Sequence, residues 1–186
     1  MSEANKLLVQ RATEAYNTGD LTAVREYFSP DLIDHNPPPI AGVTFASGFE
    51  GWTQVQSGFL RAFPDLQFPI VDIVAEGDKV VVRSQVTGTH LGDFFGIPAT
   101  GNAVDYQAIV IWGITDGRIT DRWATFDNVR LLTQLGLMPS IDANTPLGRA
   151  TYWTIIHRAT VGRAVAVAAG AGLLLAGLRK ARATDE

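Results

Sequence analysis

The chain has 186 residues, no cysteine, 15 Lys plus Arg against 19 Asp plus Glu, and a formal net charge of −4. Hydrophobic residues make up 46%, which excludes a disordered chain and fits one domain with an appendage. Without cysteine there is no disulfide framework, zinc–thiolate site, iron–sulfur cluster or thiol nucleophile. The mild acidity gives no reason to expect nucleic acid. The start, MSEANKLLVQ, carries no basic region followed by an apolar one, so a cytoplasmic protein is expected.

Leu8, Ala12 and Ala15 or Tyr16 recur at helical spacing, and Asn17-Thr18-Gly19-Asp20 ends that first helix. Asp20 caps a second, short helix that stops at Ser29-Pro30. An extended stretch over 32–36 runs into Pro37-Pro38-Pro39. A third helix over 49–62 presents Trp52, Val55, Phe59 and Phe63 on one side, and Pro64 closes it. Strands follow: 67–75 and 79–90 around Gly77-Asp78, then 103–114 and 119–127 around Asp116-Gly117. A short helix over 129–135 ends at Gly136. The expected plan is α+β, three N-terminal helices against one face of a curved antiparallel sheet.

A two-residue turn at Gly77-Asp78 pairs Asp72 with Arg83, so Arg83, Gln85 and Thr87 mark the outer face. Val80, Val82, Val86 and His90 then point inward. A two-residue turn at Asp116-Gly117 pairs Thr115 with Arg118. Counting back, Val110 faces Trp123, Ala108 faces Thr125 and Tyr106 faces Asp127, all on the inner face. A carboxylate there is a base candidate, because desolvation raises its pKa. Asp is also a favoured N-cap, so Asp127 suits the start of the last helix as well.

The strings GDL (19–21), YFSPDLIDHNP (27–37), FLRAFPDL (59–66), VAEGDKVVVR (74–83), GTHLGDFFGIPATG (88–101), DGRITDRWATFD (116–127) and LLTQLG (131–136) resemble, in order, the SnoaL-like polyketide cyclase family of the NTF2-like superfamily. The resemblance implies an NTF2-like cone around a deep pocket. It also implies cofactor-free ring closure of a polyketide ester by intramolecular aldol condensation. The family's acid/base aspartate lies in a W-x-x-x-D pattern, here Trp123 to Asp127. In this reading Asp127 removes a proton from an activated carbon. His35, in DHNP, and His90, in GTH, serve as donors or proton relays. Asn36, Phe59, Phe63, Tyr106, Trp112 and Trp123 contact the substrate, a small hydrophobic or polyketide-like molecule.

Other chemistries fit worse. The histidines lack metal-ligand spacing, and there is neither a GxGxxG nor a GxSxG motif, so no metal or nucleotide cofactor is expected. Neither Arg83 nor Arg122 has an Asp two residues on, against a limonene-epoxide-hydrolase-like site. A ketosteroid-isomerase-like proton transfer and a non-catalytic binding or dimerisation module remain alternatives. The outer face, with Ile109 and Ile111, suits a homodimer.

Residues 1–140 form the expected cone domain, and 145–186 an Ala/Gly/Leu-rich helical extension. Between Arg163 and Arg179 lie 15 uncharged residues, about 22 Å of helix at ~1.5 Å per residue. That is short for a ~30 Å bilayer core. A packing helix, membrane association through 164–178 and a loose tail are the competing expectations.

Overall fold

The computed structural model describes residues 2–38 and 43–138. The extension at 145–186, with its membrane and packing alternatives, lies outside the described residues. Helix α1, Ser2–Asn17, buries Val9, Ala12 and Tyr16, the helical stripe legible in the sequence. Gly19 takes the left-handed conformation (φ 80°). The Asp20 carboxylate then accepts from Thr22 N at 2.8 Å to start α2, Leu21–Val24.

The chain leaves helical structure after a 3-10 turn at Arg25–Tyr27, short of the helix stop expected at Ser29-Pro30. It enters strand β1, Phe28–Asp34, which contains both residues. Proline is tolerated because β1 is an edge strand. Helix α3, Gly48–Ala62, buries Phe49, Trp52, Val55 and Gln56. Strands β2 (Ile70–Glu76), β3 (Lys79–Thr89), β4 (Ala103–Thr115) and β5 (Arg118–Phe126) follow, and α4 spans Asn128–Gln134.

The sheet order is β1-β5-β4-β3-β2. Its β2 to β5 pairs are antiparallel as expected, but β1 runs parallel to β5, so the sheet is mixed. Helix α1 packs on β2 and β3, α3 on β1 and α4 on β4. One apolar cluster joins α1, β1 and α3 to Val80, Val82 and Ile119. A second, around Phe63, Leu66, Val86, Tyr106 and Leu131, fills the opposite end.

The β2–β3 hairpin keeps the expected register, Asp72 opposite Arg83, and Val80, Val82 and Val86 are buried. The β4–β5 hairpin does not. Thr115 pairs with Arg118 and Ile114 with Ile119, but Gly113 then pairs with Asp121. Thr120 is the extra residue of a β-bulge. A side chain at position 113 would place its Cβ 2.8 Å from Asp121 Cβ, so glycine is what permits this close crossing. Everything beyond the bulge changes face. Val110 pairs with Ala124 and Ala108 with Phe126. Arg122, Ala124 and Phe126 therefore point inward, whereas Trp123 and Thr125 point outward.

Candidate functional site

Two chambers adjoin between the helices and the inner sheet face. The inner one, about 70 Å³, is walled by Val9, Ala12, Tyr16, Phe28, Trp52 and Trp112 among others. The outer one, about 730 Å³, is walled by Asn36, Phe59, Phe94, Phe95, Tyr106 and Leu131 among others. Gln56, Phe68, Arg122 and Phe126 belong to both walls.

The polar groups of these walls are few and held in place. Arg122, brought inward by the bulge, is 6% exposed. Its Nη1 donates to Asp34 Oδ2 at 2.8 Å. Asp34 comes from the end of β1, which pairs with Arg122 in register. Burying such a pair is tolerable only because each charge has its partner. The guanidinium also lies over the Phe126 ring, 5.8 Å from its centroid. On the helical side, Tyr16 Oη donates to Gln56 Oε1 at 2.8 Å. Burial pushes the Tyr16 phenol well above its ordinary pKa and does the same to Tyr106, so both stay protonated donors. The Tyr106 hydroxyl is buried without a partner among the described residues. Ser84, on β3, faces the inner chamber. Among the described residues neither wall contains a carboxylate or an imidazole.

Asp127 does not occupy the inner face. It is exposed and caps α4, its Oδ1 accepting from Arg130 N at 3.0 Å. The capping expectation fits, and the inward position fails because of the bulge. His35 is also outside the chambers. Its ring stacks on Trp123 (centroids 4.1 Å apart, planes at 5°), and its Nε2 lies 2.8 Å from Asp121 Oδ1. Lys79 Nζ covers the same indole at 5.2 Å. Trp123 is thus an outer-face residue, a second correction from the same bulge. The His35 hydrogen bond is the main cause holding the Asp121 carboxyl below its ordinary pKa.

His90 does point inward but is fully buried under Phe63 and Phe94, away from both chambers. Its Nδ1 accepts from Thr100 N at 3.2 Å, which fixes the 90–101 loop. Phe63 is likewise core, 0% exposed. Asn36 lines the outer chamber, but its amide is spent on β5, donating to Ala124 O and accepting from Ala124 N at 2.8 Å. Phe59, Tyr106 and Trp112 line the chambers as expected.

Sequence reasoning missed Gln56, Tyr16, Arg122, Asp34, Ser84 and the Phe94-Phe95 lip. Gln56 carried a signal: it falls on the apolar face of α3, four residues after Trp52 and three before Phe59, where a polar side chain needs a partner. Arg122 and Asp34 carried none, because their meeting depends on the bulge and on β1 joining the sheet.

Residues 6–135 match the SnoaL-like polyketide cyclase family. Among curated relatives, aklanonic acid methyl ester cyclase DnrD of Streptomyces peucetius is 30% identical over 134 residues, 69% of this chain and 88% of the relative. DauD of Streptomyces sp. (strain C5), of the same name, is 30% identical, covering 69% and 80%. Among solved structures, IdmH from Streptomyces antibioticus is 34% identical with a TM-score of 0.62, covering 71% of this chain and 98% of that one. TsrD from Streptomyces laurentii is 29% identical with a TM-score of 0.65, covering 73% and 97%. With its element order, its apolar chambers and a match over residues 6–135, the chain belongs to the SnoaL-like polyketide cyclase family and has its NTF2-like fold.

Proposed function

We propose that this protein closes a carbon ring in a polyketide ester by intramolecular aldol addition, without a cofactor. The observation that carries the reading is the pair of adjoining, mainly apolar chambers that share Gln56, Phe68, Arg122 and Phe126 in their walls. An outer chamber of about 730 Å³ is in the size range of small-molecule sites. A flexible chain held there loses its freedom before the reaction, and such positioning is worth up to ~7–11 kcal/mol in favourable cases. In the reaction one carbon–carbon bond forms, the attacked carbonyl becomes a hydroxyl, and the proton lost from carbon is replaced on oxygen. Mass is unchanged. Among the described residues no group of three or more His, Cys, Asp or Glu is placed to hold a metal ion. Asp127 itself lines neither chamber among the described residues, although its neighbour Asn128 lines the outer one.

The named relatives supply the first substrate to try, aklanonic acid methyl ester. Purified protein, dialysed against EDTA, is expected to convert it to a ring-closed isomer of equal mass, followed by chromatography. Binding without conversion would instead support the non-catalytic ligand-binding module. The homodimer belongs to the same proposal. The outer face exposes Ile33, Val74, Val81 and Ile109, and a second copy would cover them. Sedimentation of the purified chain tests that directly.

A further inference from the structure

Phe95 and Gly58 each break a local rule, and the two exceptions meet. Phe94 and Ile97 exchange backbone hydrogen bonds, Phe94 N to Ile97 O at 2.9 Å and Ile97 N to Phe94 O at 3.1 Å. The two-residue turn they close has positive φ at both positions, 50° at Phe95 and 91° at Gly96. Such turns favour Asn, Asp or Gly at the first position. The β4–β5 hairpin conforms, with Asp116 at φ 50°. Phe95 does not, and a bulky side chain at positive φ is strained. Gly58 lies in the interior of α3, where glycine weakens a helix. Its φ is not positive, so no backbone demand accounts for it. The Phe95 ring does. A Cβ at position 58 would stand 2.6 Å from Phe95 Cζ and 2.8 Å from Phe95 Cε1. The helix is notched at Gly58, and the ring fills the notch.

We propose that Phe95, seated on Gly58, is a specificity-determining residue that sets the size of ligand the outer chamber accepts. This rests on the reading of that chamber as the substrate site and adds to it the element that limits what enters. Phe95 lines the chamber together with Phe59, Phe94 and Ile97. Its ring meets Phe59 edge to face, with centroids 5.9 Å apart, and lies 5.1 Å from the Phe94 ring. Phe94 is buried, whereas Phe95 is only half-buried, so part of its ring is surface that a ligand can touch. The positive φ fixes the backbone from which the ring hangs, and the notch fixes where its tip rests. A side chain held at both ends is a rigid wall, and a rigid wall rejects an oversized ligand by clash. Sequences break local rules where a site needs a side chain in one place. Here two such breaks serve a single contact.

The test uses the full chain and two flat apolar esters of different size, methyl 2-naphthoate and methyl pyrene-1-carboxylate. Dissociation constants are read from their fluorescence. Wild type is expected to bind the naphthoate more tightly. In Phe95→Gly the ratio of the two constants should move by roughly tenfold or more towards the pyrene ester, which gains room while the naphthoate loses a contact. Glycine suits the turn, so this variant keeps the fold, and near-ultraviolet circular dichroism establishes it. The seat is tested separately by Tm. Gly58→Ala should lower the Tm on its own, because the ring must leave its notch. In the Phe95→Gly background the same substitution should raise the Tm, since alanine suits a helix better than glycine. Such a change of sign measures the contact between the two positions. An unchanged ratio in folded Phe95→Gly would overturn the size limit and leave the chamber standing as a site. Equal effects of Gly58→Ala in both backgrounds would overturn the seat. Binding of neither ester by wild type would also overturn the proposal, and conversion of aklanonic acid methyl ester by the same protein would then leave the cyclase reading intact.

Discussion

Replacing Asp127 separates the two roles that the sequence offered for it. In Asp127→Ala the structure loses one hydrogen bond, Arg130 N to Asp127 Oδ1, and with it the cap of a seven-residue helix. N-cap losses of this kind cost about 1 kcal/mol, within a range of roughly 0.5–2. Helix α4 brings Leu131 and Leu135, 4% and 2% exposed, into the second apolar cluster. Fraying therefore reaches the core, and the upper half of the range applies. For a folded unit of this size the loss corresponds to a fall in Tm of about 4–7 °C. Asp127→Asn should restore the Tm, since Asn caps as well as Asp. Asp127→Asn should retain turnover of aklanonic acid methyl ester within about twofold, because it keeps the cap and with it the α4 residues Asn128, Leu131 and Leu132 that line the outer chamber. A folded Asp127→Asn variant with normal Tm and turnover reduced by more than about a hundredfold, the scale of lost general acid/base help, would refute the argument. It would place the carboxylate in the reaction despite its exposure.

Other outcomes follow from the same geometry. Arg122→Met strands the Asp34 carboxylate and should cost about 3–5 kcal/mol in urea unfolding; Asp34→Asn/Arg122→Met should recover part of that loss, and equal losses would deny the coupling. Gly92→Ala places a Cβ 2.2 Å from Arg61 O, beside the Leu91 and Gly92 N–H bonds to Ala62 O, and should lower stability by about 1–3 kcal/mol. Phe63→Leu should reduce stability with KM unchanged, whereas Phe59→Leu should raise KM, since only Phe59 lines a chamber. The Asp121 carboxyl is held below its ordinary pKa chiefly by the His35 hydrogen bond. Its contribution is therefore full above the unfolded pKa of ~3.9 and is lost as pH falls through the lower, folded value. Asp121→Asn should flatten the acid limb of stability without abolishing it, because Asp20 and Asp65 are also lowered, mainly by Thr22 and Thr89.

What the sequence determines by itself is local. Helical spacing marked Ala12 and Tyr16, and the Gly19-Asp20 pair marked one helix's end and the next one's start. Asp116-Gly117 marked a hairpin, with φ 50° and 71° at the two positions. Alternation over 80–86 marked the inner face of β3. Each signal lies within a few residues of the feature it reports. The family, too, was legible, because its strings keep their order along the chain. The face of β5 was not. Side chains alternate with a period of two, so one extra residue at Thr120 reverses every assignment downstream. That reversal takes Trp123 to the outside beside His35, leaves Asp127 as a helix cap, and turns Arg122 inward.

Only the tertiary structure could bring Arg122 to Asp34, 88 residues apart in sequence, because that meeting requires β1 to dock parallel on β5 past a proline. A buried arginine contradicts the rule that charges lie outside, so local patterning assigns it to solvent. Its position is decided by the partner that neutralises it, which lies on another strand.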